Sequence, residues 1–155
     1  MRIPFFKKKA KKQRYTIAFY NLENLFDPER NKNTLDRDYT PTGIKKWTVE
    51  RYQRKLAKLS KTITRIGEEK HPYPPVLIGV AEAENNSVLQ ALVDTDPMED
   101  LDYGFIHFDS PDERGIDTGL IYRKKFFKVL HSEPLALMVN NAGGIRDTTR
   151  DILYV

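Results

Sequence analysis

The sequence of 155 residues contains no cysteine. That excludes a disulfide framework, a thiolate-held metal and a cysteine nucleophile, and it leaves oxygen and imidazole to hold any cation. Long hydrophobic runs are missing too. A bilayer-spanning helix needs roughly 20 apolar residues, and VLIGVA at 76–81 stops far short of that. The N-terminus MRIPFFKKKAKKQRYTIAFYNL puts its charge after the first apolar cluster and lacks the apolar core and cleavage site of a signal peptide. A cytoplasmic location without a transmembrane segment is the expectation.

What is present suits one globular domain. Hydrophobic residues make up 39% and charged residues 31%, and β-branched and aromatic residues are too common for a disordered chain. Charge is unevenly placed: residues 1–70 hold 19 Lys/Arg against 8 Asp/Glu, and residues 71–155 hold 7 against 14. The basic half is suited to polyanions such as nucleic acid. The cluster Lys7, Lys8, Lys9, Lys11 and Lys12 reads equally as a solvated tail. Residues 1–14 are therefore taken as a basic tail and 15–155 as the domain.

Residues 15–21, YTIAFYN, have the composition of a buried strand. The polar stretch Pro28 to Gly43 reads as a long surface loop. From Thr48 the apolar positions Val49, Tyr52, Leu56, Leu59, Ile63 and Ile66 recur by threes and fours, the spacing of an amphipathic helix. Thr48 is its expected N-cap, Gly67 lies near its end, and HPYPP at 71–75 forbids continuation. VLIGVAE at 76–82 has the continuous apolar pattern of a central strand, which makes a β-α-β unit with both strands in one sheet. Asn86 or Ser87 caps a short helix through Val93, and 103–108, 118–123, 126–130 and 150–155 read as strands. The pattern predicts an α/β or α+β layered sandwich around a mixed sheet.

Asn21 and Glu82 stand at the C-terminal ends of strands expected to be central, where ligands gather in open α/β sheets. A carboxylate closing an apolar strand needs a partner, and Mg²⁺ or Mn²⁺ suits an oxygen-only site. A capping or salt-bridged role for Glu82, and a turn-satisfying role for Asn21, explain the same positions.

YTIAFYNLENLFD at 15–27, VLIGVAEAENNSVLQALV at 76–93, RGIDTGLIYR at 114–123 and TTRDILYV at 148–155 together resemble the N-terminal half of the endonuclease/exonuclease/phosphatase family. That family includes deoxyribonuclease-I-like enzymes and sphingomyelinases. GIKKWTVERYQRKLAKL at 43–59 is similar to a bacterial branch of it. The resemblance implies a deoxyribonuclease-I-like β-sandwich flanked by helices. It implies Asn21 and Glu82 at the metal and scissile phosphate, and Arg150 on substrate phosphate, for which a planar guanidinium is suited. Arg114 and Asp117 fall where related enzymes contact substrate, although turn chemistry around Gly115 accounts for them almost as well. Glu23, Glu84 and Asn85 are candidates for orienting the metal ligand. The family commonly has glutamine before the metal-binding glutamate, and Ala81 stands here. His71, His107 and His131 match none of the quoted blocks and are read as surface or packing residues.

The family's catalytic histidine, its Asp-Asn pair in a GDFN pattern and its closing Asp-His pair have no counterpart in this sequence. The final ILYV reads as a strand cut short. The expectation is a metal-dependent hydrolase of phosphodiester or phosphomonoester bonds, endonuclease-like, of which these residues form an inactive N-terminal portion. The alternative is a non-catalytic module that binds nucleic acid or protein. Which phosphate ester is hydrolysed, and the oligomeric state, do not follow from the sequence.

Overall fold

The computed structural model describes residues 13–29 and 37–155. The lysine cluster and much of the predicted long loop lie outside them. The elements run β1 (Ile17–Leu25), α1 (Val49–Thr64), β2 (Leu77–Ala83), α2 (Asn86–Val93), a 3₁₀ turn (Glu99–Leu101), β3 (Tyr103–His107), β4 (Asp117–Arg123), β5 (Glu133–Leu135), β6 (Val139–Asn140), β7 (Arg146–Asp147) and β8 (Ile152–Tyr154).

The predicted β-α-β unit forms. β1 and β2 pair in parallel from Ile17↔Leu77 to Asn21↔Ala81, and α1 lies between them in sequence. β2 then pairs antiparallel with β4, and β4 with β3, so the sheet order is β1-β2-β4-β3. Thr48 caps α1 by accepting the Arg51 N–H, with Glu50 in the first turn. The buried stripe Leu56, Leu59 and Ile63 meets Ile78 and Val80 of β2, Val88, Leu89 and Leu92 of α2, and Ile121 of β4 in one core. Both helices thus pack against the same core.

The opposite face is more open: Ile17 is 69% and Phe19 70% exposed. Between it and β8 runs a groove of about 780 Å³ lined in part by Phe19, Val80, Leu120, Leu137, Arg150 and Leu153. A smaller cluster of Phe26, Trp47 and Ile116, with Tyr39 and Tyr52 against it, closes the far end of β1. The Trp47 indole N–H donates to the Phe26 carbonyl at 2.9 Å, which fixes the segment before α1 to that strand end.

Several expectations need correction. β1 extends to Leu25 and is an edge strand of the four-stranded sheet, so Asn21 lies within it, not at its end. Asn85 caps α2, where Asn86 or Ser87 was expected. FFKVL at 126–130 is turn and irregular chain; Phe126 packs edge-on to Tyr15 at 5.3 Å instead of pairing. The last strand covers only Ile152–Tyr154, and β5, its antiparallel partner, had no sequence signal. The molecule is a mixed α+β fold with a sheet and two helices.

Because Ile63 is fully buried at the junction of α1, α2 and β2, Ile63→Ala should cost about 2–5 kcal/mol, the range for such truncations. Urea unfolding of the two chains measures it.

Candidate functional site

Glu82 sits at a double irregularity. Against β1 the register jumps from Asn21↔Ala81 to Leu25↔Ala83. Against β4 it jumps from Ala81↔Thr118 to Ala83↔Asp117, which leaves Glu82 unpaired on both sides. Its φ is 66°, in the left-handed region that a non-glycine residue enters at a cost. A bulge re-aims a side chain, and here the carboxylate turns toward the end of β1. Its Oε2 accepts the Asn24 N–H at 2.9 Å. Asn24 and Glu23 are themselves left-handed, with φ of 60° and 55°.

Asn21 Oδ1 accepts the Glu23 N–H at 2.7 Å, so this side chain supports the same turn. Lys55, reaching from α1, donates to the carbonyls of Glu23 and Asn24 and lies 5.3 Å from the Trp47 ring centre. Burial lowers its pKa, while Glu23 and Glu82 act in the opposite sense. Beside this turn Asp27 receives two contacts from the β2–α2 junction: its N–H donates to Glu84 Oε2 at 2.7 Å, and Asn85 Nδ2 donates to its carboxylate at 3.0 Å. Glu23, Glu84 and Asn85 are thus all gathered around the β1 turn.

The second group lies on the loop between β3 and β4. Arg114 Nε is 3.8 Å from Asp112 Oδ1, and Arg150 Nε is 3.5 Å from Asp112 Oδ2, so the expected phosphate arginine, Arg150, and the substrate-contacting candidate Arg114 share one carboxylate. Asp112 Oδ1 also accepts the Arg114 N–H at 3.0 Å, and Gly115 follows at φ 65°. The turn chemistry expected around this glycine is present. Tyr39 links the two groups electrostatically. Burial raises its hydroxyl pKa, Glu82 and Asp38 raise it further, and Arg114 pulls it down.

Asp117 is brought elsewhere. It is buried, accepts the Ser110 hydroxyl through Oδ1, and turns Oδ2 toward His107 Nε2 at 3.7 Å. Burial raises its pKa. Lys55, Tyr39, Asp112 and His107 were not singled out as site residues in the sequence. For the last of these the available signal was His107 and Asp109 two residues apart; Asp117 joins them only across the β3–β4 loop.

Residues 16–155 match the Endonuclease/Exonuclease/phosphatase family, and the chain belongs to it. No curated protein matches the chain, nor does any solved structure. Among the described residues no helix is long and apolar enough to cross a membrane.

Burial lowers the pKa of His107 below 6.5, against the pull of Asp117, Asp109 and the Ala83 backbone. A base whose folded pKa is lowered takes up its proton more readily when unfolded. Its contribution to stability is therefore complete above pH 6.5 and shrinks as pH falls from there toward the folded pKa. Urea midpoints measured across this window should decline, and His107→Gln should flatten that decline; Asp117, with a raised pKa, acts with the opposite sign in the carboxylate range.

Proposed function

We propose that this chain supplies the metal- and phosphate-binding side of a divalent-metal-dependent phosphodiesterase. Glu82 and Asn21 would hold Mg²⁺ or Mn²⁺, and Arg150 and Arg114 the phosphate ester. The observation that carries this reading is the doubly bulged, left-handed Glu82. The chain accepts backbone strain there to present a carboxylate, and such strain gathers at functional sites.

The donor chemistry fits a hard cation. One Glu82 oxygen is held by the Asn24 N–H, while the other has no hydrogen bond among the described residues, and an oxygen donor set suits Mg²⁺ or Mn²⁺. When bound, such an ion polarises a phosphoryl oxygen. The protein's own groups do the rest. Asn21 Oδ1 has a second lone pair for the ion beside the Glu23 N–H it accepts, and its amide nitrogen would donate to the phosphate or nucleophile. Arg150 and Arg114, each held loosely by Asp112 through Nε, would exchange that carboxylate for phosphate oxygens, which a planar guanidinium can grip with paired N–H donors. Asp117 serves indirectly, by holding the loop that carries Arg114. The open sheet face fits the inner face of a layered sandwich.

The catalytic histidine, Asp-Asn and Asp-His groups implied by the family resemblance are not in these 155 residues. We therefore read them as a binding half without turnover of its own. In calorimetric titration with Mn²⁺, Glu82→Gln should weaken binding at least about ten-fold. The natural gene product should cleave DNA, RNA or a phospholipid only with metal. Full, chelator-resistant activity in its Glu82→Gln form would sink the assignment.

A second reading, a nucleic-acid-binding module, draws support from the exposed basic face of α1, where Arg51, Arg54, Lys58 and Lys61 line up by threes and fours. It predicts single-strand or duplex binding that weakens steeply with salt and survives Glu82→Gln.

A further inference from the structure

We infer that His107, Asp109 and Asp117 form a second divalent-cation site, which pins the β3–β4 loop to the sheet. Each of the three offers a ligand atom, and these atoms lie within 4.8 Å of one another. The arrangement does not depend on the role given to Glu82.

The imidazole carries the argument. The His107 side chain has 0% exposure, and neither ring nitrogen makes a hydrogen bond of ordinary geometry, the Ala83 backbone offering only a weak contact. Buried polar nitrogens are almost always paired, and an exception in a folded protein points to a missing partner. The two carboxylates face the ring without satisfying it. Nδ1 stands 3.8 Å from Asp109 Oδ1 and Nε2 stands 3.7 Å from Asp117 Oδ2, both beyond hydrogen-bond reach. An imidazole gives an ion one nitrogen, and one nitrogen with the two carboxylates spans no more than 4.8 Å, against about 3.4 Å between the ligands of a tetrahedral ion, so the exposed Asp109 has to rotate inward to close the set.

The surroundings favour this. Asp117 Oδ1 is committed to the Ser110 hydroxyl, which leaves Oδ2 aimed at the ring in the way a ligand carboxylate is oriented by its neighbours. Asp109 is 84% exposed, so it can rotate inward and leaves a path for the ion and for water. His107 closes β3 opposite Gly119, and Asp117 opens β4 opposite Ala83. An ion here would join the two ends of the loop that carries Asp112 and Arg114. One imidazole with two carboxylates suits Zn²⁺, Co²⁺ or Mn²⁺ better than Mg²⁺ or Ca²⁺, which prefer oxygen alone.

The test is a Zn²⁺ titration of the metal-free 155-residue chain, followed by calorimetry and by NMR of the histidine ring protons. It is run on the natural sequence and on Glu82→Gln, so that loss of the Glu82 site is read separately. The His107 ring signals should shift with Zn²⁺ in both chains. Asp109→Asn alters only an exposed side chain and should weaken that binding at least about ten-fold, with the fold unchanged by circular dichroism. His107→Gln should abolish it. His107 signals that stay in place at saturating Zn²⁺, or a smaller effect of Asp109→Asn, overturn the proposal.

Discussion

The bond from the Asn24 N–H to the Glu82 carboxylate, 2.9 Å long, joins residues 58 positions apart and holds the site's geometry together. It closes the gap that opens where β1 and β2 lose register. It also ties the left-handed Glu82 directly to the left-handed turn at Glu23 and Asn24. Other contacts reinforce the same turn from different directions: Asn21 from within the strand, Lys55 from α1, and the Trp47–Phe26 bond from the segment ahead of that helix. A helix packed on the core thus steadies a carboxylate outside it. Rigid elements give such control more readily than loops do.

The β3–β4 loop solves a different problem, that of holding two arginines near each other before any anion arrives. Asp112 neutralises part of their mutual repulsion and fixes their direction. The acidic character of the second half of the sequence has a local meaning in this loop: Asp109, Asp112 and Asp117 each face a cationic or ionisable partner. The formal charge of that half therefore says little about the charge presented at this point, where two arginines meet one carboxylate.

Much of the scaffold could be read from the sequence because its signals are periodic. The three-and-four spacing from Tyr52 to Ile63 and the unbroken run at 76–81 depend on burial, and burial writes itself into residue type; Val49, at the head of the same stripe, is half exposed. The strand at 126–130 failed for a related reason. Phe126 and Phe127 are apolar, yet Phe126 meets Tyr15 through its ring, not through its backbone. β5 carries a proline and a glutamate, and nothing in its composition announces its pairing with β8. Within the candidate site, Glu82 stood out as a carboxylate closing an apolar strand, and Asn21, which lies inside β1, meets it at the same turn. The double bulge did not stand out, because no glycine marks it. Asp112 and Lys55 act on groups distant in the chain, and such partnerships leave no local pattern. His107 was read as a surface or packing residue, and it is buried; that Asp117, from across the β3–β4 loop, faces its ring together with Asp109 left no local pattern.

Glu23, Asn24 and Glu82 occupy backbone conformations that glycine would adopt with less cost. A lineage selected for thermal endurance alone would be expected to drift toward glycine at all three. It would gain a more comfortable and chemically mute turn. A glycine at Glu82 would relax the backbone and at the same stroke remove the acceptor of the Asn24 N–H, so an easy conformation and a placed carboxylate exclude each other at that position.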